Sequence, residues 1–266
     1  MGIFKEDYMK LRLLGVITLL GAGVLFADQA ADAIMRASYA LPAPETMEST
    51  AYMALVDANG SQSMRVLKMY SRKTAAGTDS FVEFLSPADV RGTKFLSIGS
   101  DSGEDDQRIW LPELGRVRKI ASSGKGGKFM GSDLTYYDMG THRFEDASYT
   151  LAGEETLTVT KDGRKVQMVC SVIDSVPKNP EIPYSKTRIW VGKDDRFIYK
   201  STMWDSKGRE EKSVFIVEVR REGNLLIPVR TAVVTTEGRR TLLQLDDLSV
   251  NRPIDSAIFT VRNLER

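Results

Sequence analysis

The side chains best suited to chemistry lie between Ser122 and His142. The run Ser122-Ser123-Gly124-Lys125-Gly126-Gly127-Lys128 combines glycines and lysines, the ingredients of a backbone cradle for phosphate. Its spacing does not fit a P-loop, which needs Gly-x-x-x-x-Gly-Lys-Ser/Thr between a strand and a long helix. Phe129 follows Lys128, and no helical pattern comes after it. A glycine-rich loop is the better reading. His142, the only histidine, stands near Asp133 and Asp138, and an imidazole beside a carboxylate can do acid–base work. No Gly-x-Ser-x-Gly elbow accompanies it, so it reads as a surface histidine after a glycine turn. Cys170, the only cysteine, sits inside the strand pattern Val-Gln-Met-Val-Cys-Ser-Val-Ile and reads as a small buried apolar group. One His and one Cys exclude a zinc site built from those ligands. One Cys also excludes an intramolecular disulfide. The sequence assigns no catalytic residue, no metal and no cofactor.

The elements around this stretch must position it. Ile109-Trp110-Leu111 is a strand, Pro112–Gly115 a turn, and Arg116–Ile120 a second strand. Arg116 and Arg118 fall on one face at period two, with Lys119 beside them. Two readings stand: a solvated edge strand protected by charge, or a docking edge for an acidic partner or anionic head groups. The glycine loop then delivers Phe129, Met130, Tyr136 and Tyr137 toward a cavity mouth, as a gate. Gly131-Ser132-Asp133 reads as a turn or a helix N-cap. The acidic run Asp101–Gln107 reads as a solvated hairpin loop.

Residues 1–27 read as a secretory signal peptide. Lys5, Lys10 and Arg12 precede the uncharged run Leu13–Phe26, which is short for a membrane span. An uncleaved inner-membrane anchor is the alternative. The whole chain has 37 basic and 36 acidic side chains; three basic and two acidic ones lie in this segment, so the rest balance. That balance argues against a nucleic-acid partner. The mature protein is expected to be exported to the periplasm. Residues 28–49 form an N-terminal helix, within Gln29–Ala40, and a linker through Pro42 and Pro44. Residues 50–266 form a single domain.

That domain is mainly β. Asn59-Gly60 and Asp162-Gly163 are hairpin turns, since both positions tolerate positive φ. Lys207-Gly208, Glu222-Gly223 and Glu237-Gly238 mark a regular meander of long strands, which twists and curls rather than lying flat. Phe215, Val217 and Val219 share one strand face, while Val214 and Ile216 share the other; Val233 alternates similarly. Strands apolar on both faces predict a curved antiparallel sheet with a core on its concave side and a helix or lid over part of it. Ile258 and Phe259 are placed to plug a sheet end. Methionines and aromatics such as Met53, Met168, Phe84 and Trp110 are either ordinary core or the lining of a cavity for an apolar ligand.

The stretch "IWLPELGRVRKIASSGKGGKFMGSDLTYYDM" resembles the bacterial outer-membrane lipoprotein-sorting protein family, the LolA/LolB-like group. "FVEFLSPADVRGTKFLSI" upstream and the closing "DSAIFT" support the resemblance, which runs over about Ala51–Arg266. It implies an incomplete, half-open β-barrel with a few short helices as lid or plug. It further implies an apolar cavity for the acyl chains of lipoproteins or other lipids, with no catalysis. The implied partners are an inner-membrane transporter and an outer-membrane acceptor. Without a lipobox cysteine, the chain resembles the soluble carrier rather than the membrane-anchored acceptor. A lipid- or lipoprotein-sensing adaptor on the same fold is the alternative. Under the carrier reading, cavity or gate candidates are Phe84, Trp110, Leu111, Phe129 and Met130. Tyr136, Tyr137, Phe215, Val217 and Val233 complete them, with Arg116, Arg118 and Lys119 as docking candidates.

Overall fold

A computed structural model describes residues 28–101 and 103–265. The expected signal peptide lies outside them. The chain begins with α1 (residues 28–39). Six strands follow: β1 (Thr46–Val56), β2 (Gln62–Thr74), β3 (Gly77–Ser86), β4 (Lys94–Ile98), β5 (Asp106–Leu111) and β6 (Arg116–Lys119). An irregular segment of residues 120–146 leads to the second group. This comprises β7 (Ala147–Lys161), β8 (Arg164–Pro177), β9 (Tyr184–Gly192), β10 (Ile198–Asp205), β11 (Glu210–Glu222), β12 (Leu225–Thr235) and β13 (Arg240–Val250). The short α2 (Val261–Leu264) closes the chain.

All thirteen strands join one sheet, in the order β10-β9-β8-β7-β11-β12-β13-β1-β2-β3-β4-β5-β6. The predicted turns fall where expected. Gly60 has φ +87°, and the Asp162-Gly163 pair has φ of +48° and +76°. These are conformations that Asn, Asp and Gly adopt at low cost. The sheet also closes partly on itself. The first half of β11 pairs antiparallel with β10, through Ser201↔Val214 and Lys200↔Phe215. Its second half pairs parallel with β7, through Glu218↔Thr160 and Val219↔Lys161. Strands β7 to β11 thus form a five-strand ring with a seam at Phe215–Val217.

Period-two alternation separates the cores. Leu245, Ala51, Leu67 and Phe84 form one cross-strand row; Val82, Phe95 and Ile109 form the next. Both rows belong to one cluster on the concave face. The opposite face carries Phe81, Leu96 and Trp110, covered by Phe259 and Leu264 from the C-terminal segment. Asp255 caps that segment by accepting from the Ala257 N–H at 2.9 Å. Phe259, expected to plug a sheet end, thus covers a sheet face instead. Inside the ring, Trp190, Tyr199, Met168, Cys170 and Val219 form a separate cluster. Gly192 is required there: a Cβ would collide with the Asp195 carboxylate and come within 2.9 Å of the Tyr199 ring.

Candidate lipid cavity and the elements that close it

Two pieces of the chain fill the concave side of the sheet. The first is α1. Ala31 and Met35 are fully buried, and Ile34 and Ser38 complete a stripe at i, i+3, i+4 and i+7. The stripe packs on Ile173, Ile189 and Val191 of β8 and β9 and on Tyr149 of β7. At its C-terminal turn, the Arg36 guanidinium lies 4.2 Å above the Phe144 ring. Phe144 stacks on Tyr149 at 5.1 Å, and the Tyr149 hydroxyl donates to the Phe144 carbonyl at 3.0 Å.

The second piece is the 120–142 segment. It folds back on itself, with the Phe129 N–H donating to the Leu134 carbonyl at 2.7 Å. Phe129 is 0% exposed. Its ring centroid lies 5.1 Å from Phe95, 5.7 Å from Tyr136 and 5.9 Å from Phe84. Burying an aromatic side chain this fully contributes roughly 1.5–3 kcal/mol, and edge-on ring pairs add about 0.5–1.5 kcal/mol.

A polar network anchors the same segment. Lys212 of β11, only 1% exposed, donates to the Asp138 Oδ2 at 2.5 Å and to the Asp133 carbonyl at 2.8 Å. The Tyr184 hydroxyl donates to the Asp138 Oδ1 at 2.9 Å, and the Thr135 N–H donates to Oδ2 at 2.6 Å. Burial, then the Asp138 charge, push the Tyr184 phenol well above its ordinary range. Asp133 accepts from Arg239 Nε at 3.0 Å and from the Thr241 hydroxyl at 3.0 Å. No helix follows Gly131-Ser132-Asp133, so the turn reading holds and the N-cap alternative does not: Gly131 has φ +75°. Both carboxylates that stand near His142 in sequence are thus engaged with β9, β11 and β13. His142 itself is exposed, its ring 4.7 Å from that of Tyr137.

Between the two pieces lies a cavity of 180 Å³. Tyr39 of α1, Tyr149 of β7, Ile189 of β9 and Ile198 and Met203 of β10 give it apolar walls. Tyr137, Asp138, His142 and Tyr184 form its polar end. Burial lifts the Tyr137 and Tyr149 phenols above their ordinary range, so both stay neutral hydrogen-bonding groups.

The candidates named from the sequence fall in several places rather than one. Phe84, Leu111, Phe129, Met130 and Tyr136 meet in the cluster beneath the 120–142 segment. Tyr137 lines the cavity. Trp110 faces the opposite side of the sheet, against the C-terminal segment. Phe215 and Val217 line a groove at the seam of the ring, and Val233 is buried in β12. Arg116, Arg118 and Lys119 are exposed on β6, which ends the strand order and has no partner beyond it among the described residues. Sequence reasoning missed Tyr39, Tyr149, Ile189, Ile198 and Met203 as a group. The amphipathic stripe of α1 was their one local signal, since it required an apolar face opposite.

A half-open barrel whose mouth is closed by its own helix and loop is the architecture that the sequence resemblance implies. A family model described only as an uncharacterized protein matches residues 76–266. No curated protein matches the chain. A solved domain from Vibrio parahaemolyticus, described as an outer membrane lipoprotein-sorting protein, is similar with TM-score 0.82 and 25% identity. That match covers 90% of this chain and 100% of the other. A DUF1329 family protein from Desulfovibrio piger matches with TM-score 0.80 and 26% identity, over 90% and 99% of the two chains. A LolA superfamily protein from Nitrosomonas europaea shares the fold, with TM-score 0.66 and 16% identity over 88% and 98%. The chain belongs to the family that this model describes, and it shares the fold of the LolA superfamily protein.

Proposed function

We propose that this protein is a periplasmic carrier that shields the acyl chains of lipoproteins or other lipids from water, without catalysis, on the way to the outer membrane. The observation that carries this reading is the apolar cavity between α1 and the 120–142 segment, on the concave side of a sheet that is not fully closed. Shielding is the physical need: each buried CH₂ contributes about 0.8 kcal/mol. At 180 Å³ the cavity is smaller than the roughly 300–1,000 Å³ of typical ligand pockets. Cargo entry therefore requires one closing element to move. That element is α1, because apolar and aromatic contacts hold it, whereas buried ion pairs hold the 120–142 segment. The exposed edge strand β6, with Arg116, Arg118 and Lys119, suits docking to an acidic surface on a membrane partner.

The test is lipid occupancy and exchange. Protein purified from membranes-containing extracts should carry lipid detectable by mass spectrometry and should take up a fluorescent fatty acid. Met35→Asp, which places charge under α1, should accelerate that uptake. Absence of both lipid and uptake at micromolar protein overturns the carrier reading. A stable membrane-protein partner without transfer to acceptor vesicles replaces it with the sensing adaptor.

A further inference from the structure

Strand β7 has an edge that the sheet does not use. On one side it pairs with β8 along its whole length, from Ala147↔Pro177 to Lys161↔Arg164. On the other side it meets β11 only at Thr160 and Lys161. Among the described residues no strand or loop backbone hydrogen-bonds to Ala147–Val159 on that side. The cause is a change of partner in β11. That strand pairs with β10 up to Phe215↔Lys200 and reaches β7 only at Glu218↔Thr160. A free edge is a row of N–H donors and C=O acceptors, which another extended chain completes. The edge at β6 is guarded against such pairing, with four residues of which three are cationic. On β7, a bulge between Leu151 and Gly153 divides the edge into two runs. The second run is Glu154–Val159. Its two glutamates are tied to residues of the ring: Glu154 pairs with Lys193, and Glu155 accepts from Trp190 Nε1 at 2.7 Å.

An independent feature lies beside this second run. The separation of β7 from β11 leaves a groove of 460 Å³. Leu157 and Val159 line it from β7; Phe215, Ile216, Val217 and Ala232 line it from β11 and β12. Its volume falls within the roughly 300–1,000 Å³ of ligand pockets. In strand addition, main-chain hydrogen bonds along an edge supply affinity, and pockets beside the edge take alternate side chains. Here the open edge and the apolar groove coincide on the same residues. The first run of β7 borders the other site, since Ala147 and Tyr149 wall the cavity between α1 and the 120–142 segment. Eight residues, or about 26 Å of strand, separate Tyr149 from Leu157. One strand therefore leads from a place for an acyl chain to a place for a polypeptide.

We propose that the edge of β7 over Glu154–Val159 takes an added strand from the polypeptide of a lipidated cargo. The apolar side chains of that strand enter the seam groove, while its acyl chain enters the cavity beside α1. This assignment needs the carrier reading for the acyl chain and narrows its cargo to lipoproteins.

The test is calorimetric titration of the protein with three probes that share an octanoyl group. The first is an octanoyl hexapeptide of alternating valine and serine. The second is the same molecule with every peptide N–H methylated, and the third is octanamide. The first should bind at least about ten-fold more tightly than either of the others, or about 1.4 kcal/mol. Amides within Glu154–Val159 should exchange with deuterium more slowly when it is bound, and octanamide should leave them unchanged. Val217→Asp, at a half-buried position in the groove, should reduce the peptide preference; if it does not fold, the exchange pattern of the wild type decides. Equal binding of all three overturns the strand-addition proposal and leaves the carrier reading standing. A peptide preference with protection outside β7 also overturns it. So does protection of Glu154–Val159 that appears in the protein alone as its concentration rises, which assigns the edge to a second copy of the chain. No binding of any of the three overturns both.

Discussion

Lys212 Nζ lies 2.5 Å from the Asp138 carboxylate, and this buried contact joins β11 to a segment more than seventy residues earlier in the chain. Removing one partner of such a pair leaves an uncompensated buried charge, which costs roughly 3–5 kcal/mol. Lys212→Met should therefore destabilise the protein by about that amount in urea unfolding. The double variant Lys212→Met/Asp138→Asn should be more stable than Lys212→Met alone, since it removes the stranded charge. A single variant as stable as the wild type contradicts the assigned role.

Phe129 meets three other rings beneath the 120–142 segment. Phe129→Ala should cost about 3–5 kcal/mol, the range for deleting a buried aromatic side chain. In contrast, the charge reversals Arg116→Glu and Arg118→Glu should change stability by no more than about 0.5 kcal/mol, as exposed substitutions do. Thermal denaturation of the variants compares the two. If the reversals weaken recovery with a membrane partner at unchanged stability, β6 is the docking edge rather than a merely solvated one.

Cys170 is fully buried inside the five-strand ring. Burial, with the Asp195 and Glu155 charges, pushes its thiol up to about 11. The thiolate is the reactive form. Native protein at pH 8 should resist iodoacetamide and react only once denaturant opens the ring. Rapid alkylation in the native state contradicts the closed ring.

Arg188 grips Asp174 with two hydrogen bonds, of 2.6 and 2.9 Å. That hydrogen bonding, against opposing burial, holds the Asp174 carboxyl below its ordinary range. A carboxyl lowered in the folded state adds stability above its unfolded value of about 3.9 and loses it as the pH falls through the lower folded value. Asp174→Asn should therefore be less stable than wild type at pH 6. The gap should close as the pH is taken below about 4. A gap that stays constant with pH assigns the effect to packing instead.

What the sequence exposes and what it hides divide along physical lines. The hairpins at Asn59-Gly60 and Asp162-Gly163 are legible because their backbone angles restrict which residues fit. The helix of residues 28–39 is legible because its stripe and the following prolines are local. The ring is not: it closes through a parallel contact of two residue pairs, Glu218↔Thr160 and Val219↔Lys161, between strands distant in sequence. Phe129 and Tyr136 read as a gate because glycines precede them. They are instead held by Phe84 and Phe95, which arrive from β3 and β4. Asp105 reads as solvated because acidic runs usually are, yet folding places it under Thr141 and beside Ser97.

The way α1 is attached has a consequence for exchange. A short connection, residues 40–45, separates it from β1, and no ion pair among the described residues ties it to the sheet. A displaced helix therefore stays at high effective concentration beside the site it left. Under the proposed carrier function it is a tethered competitor: measured cargo affinity would be the difference between cargo binding and helix redocking. On that proposal, lengthening the connection would tighten retention and slow unloading, and the length of residues 40–45 would set how readily a carrier lets go.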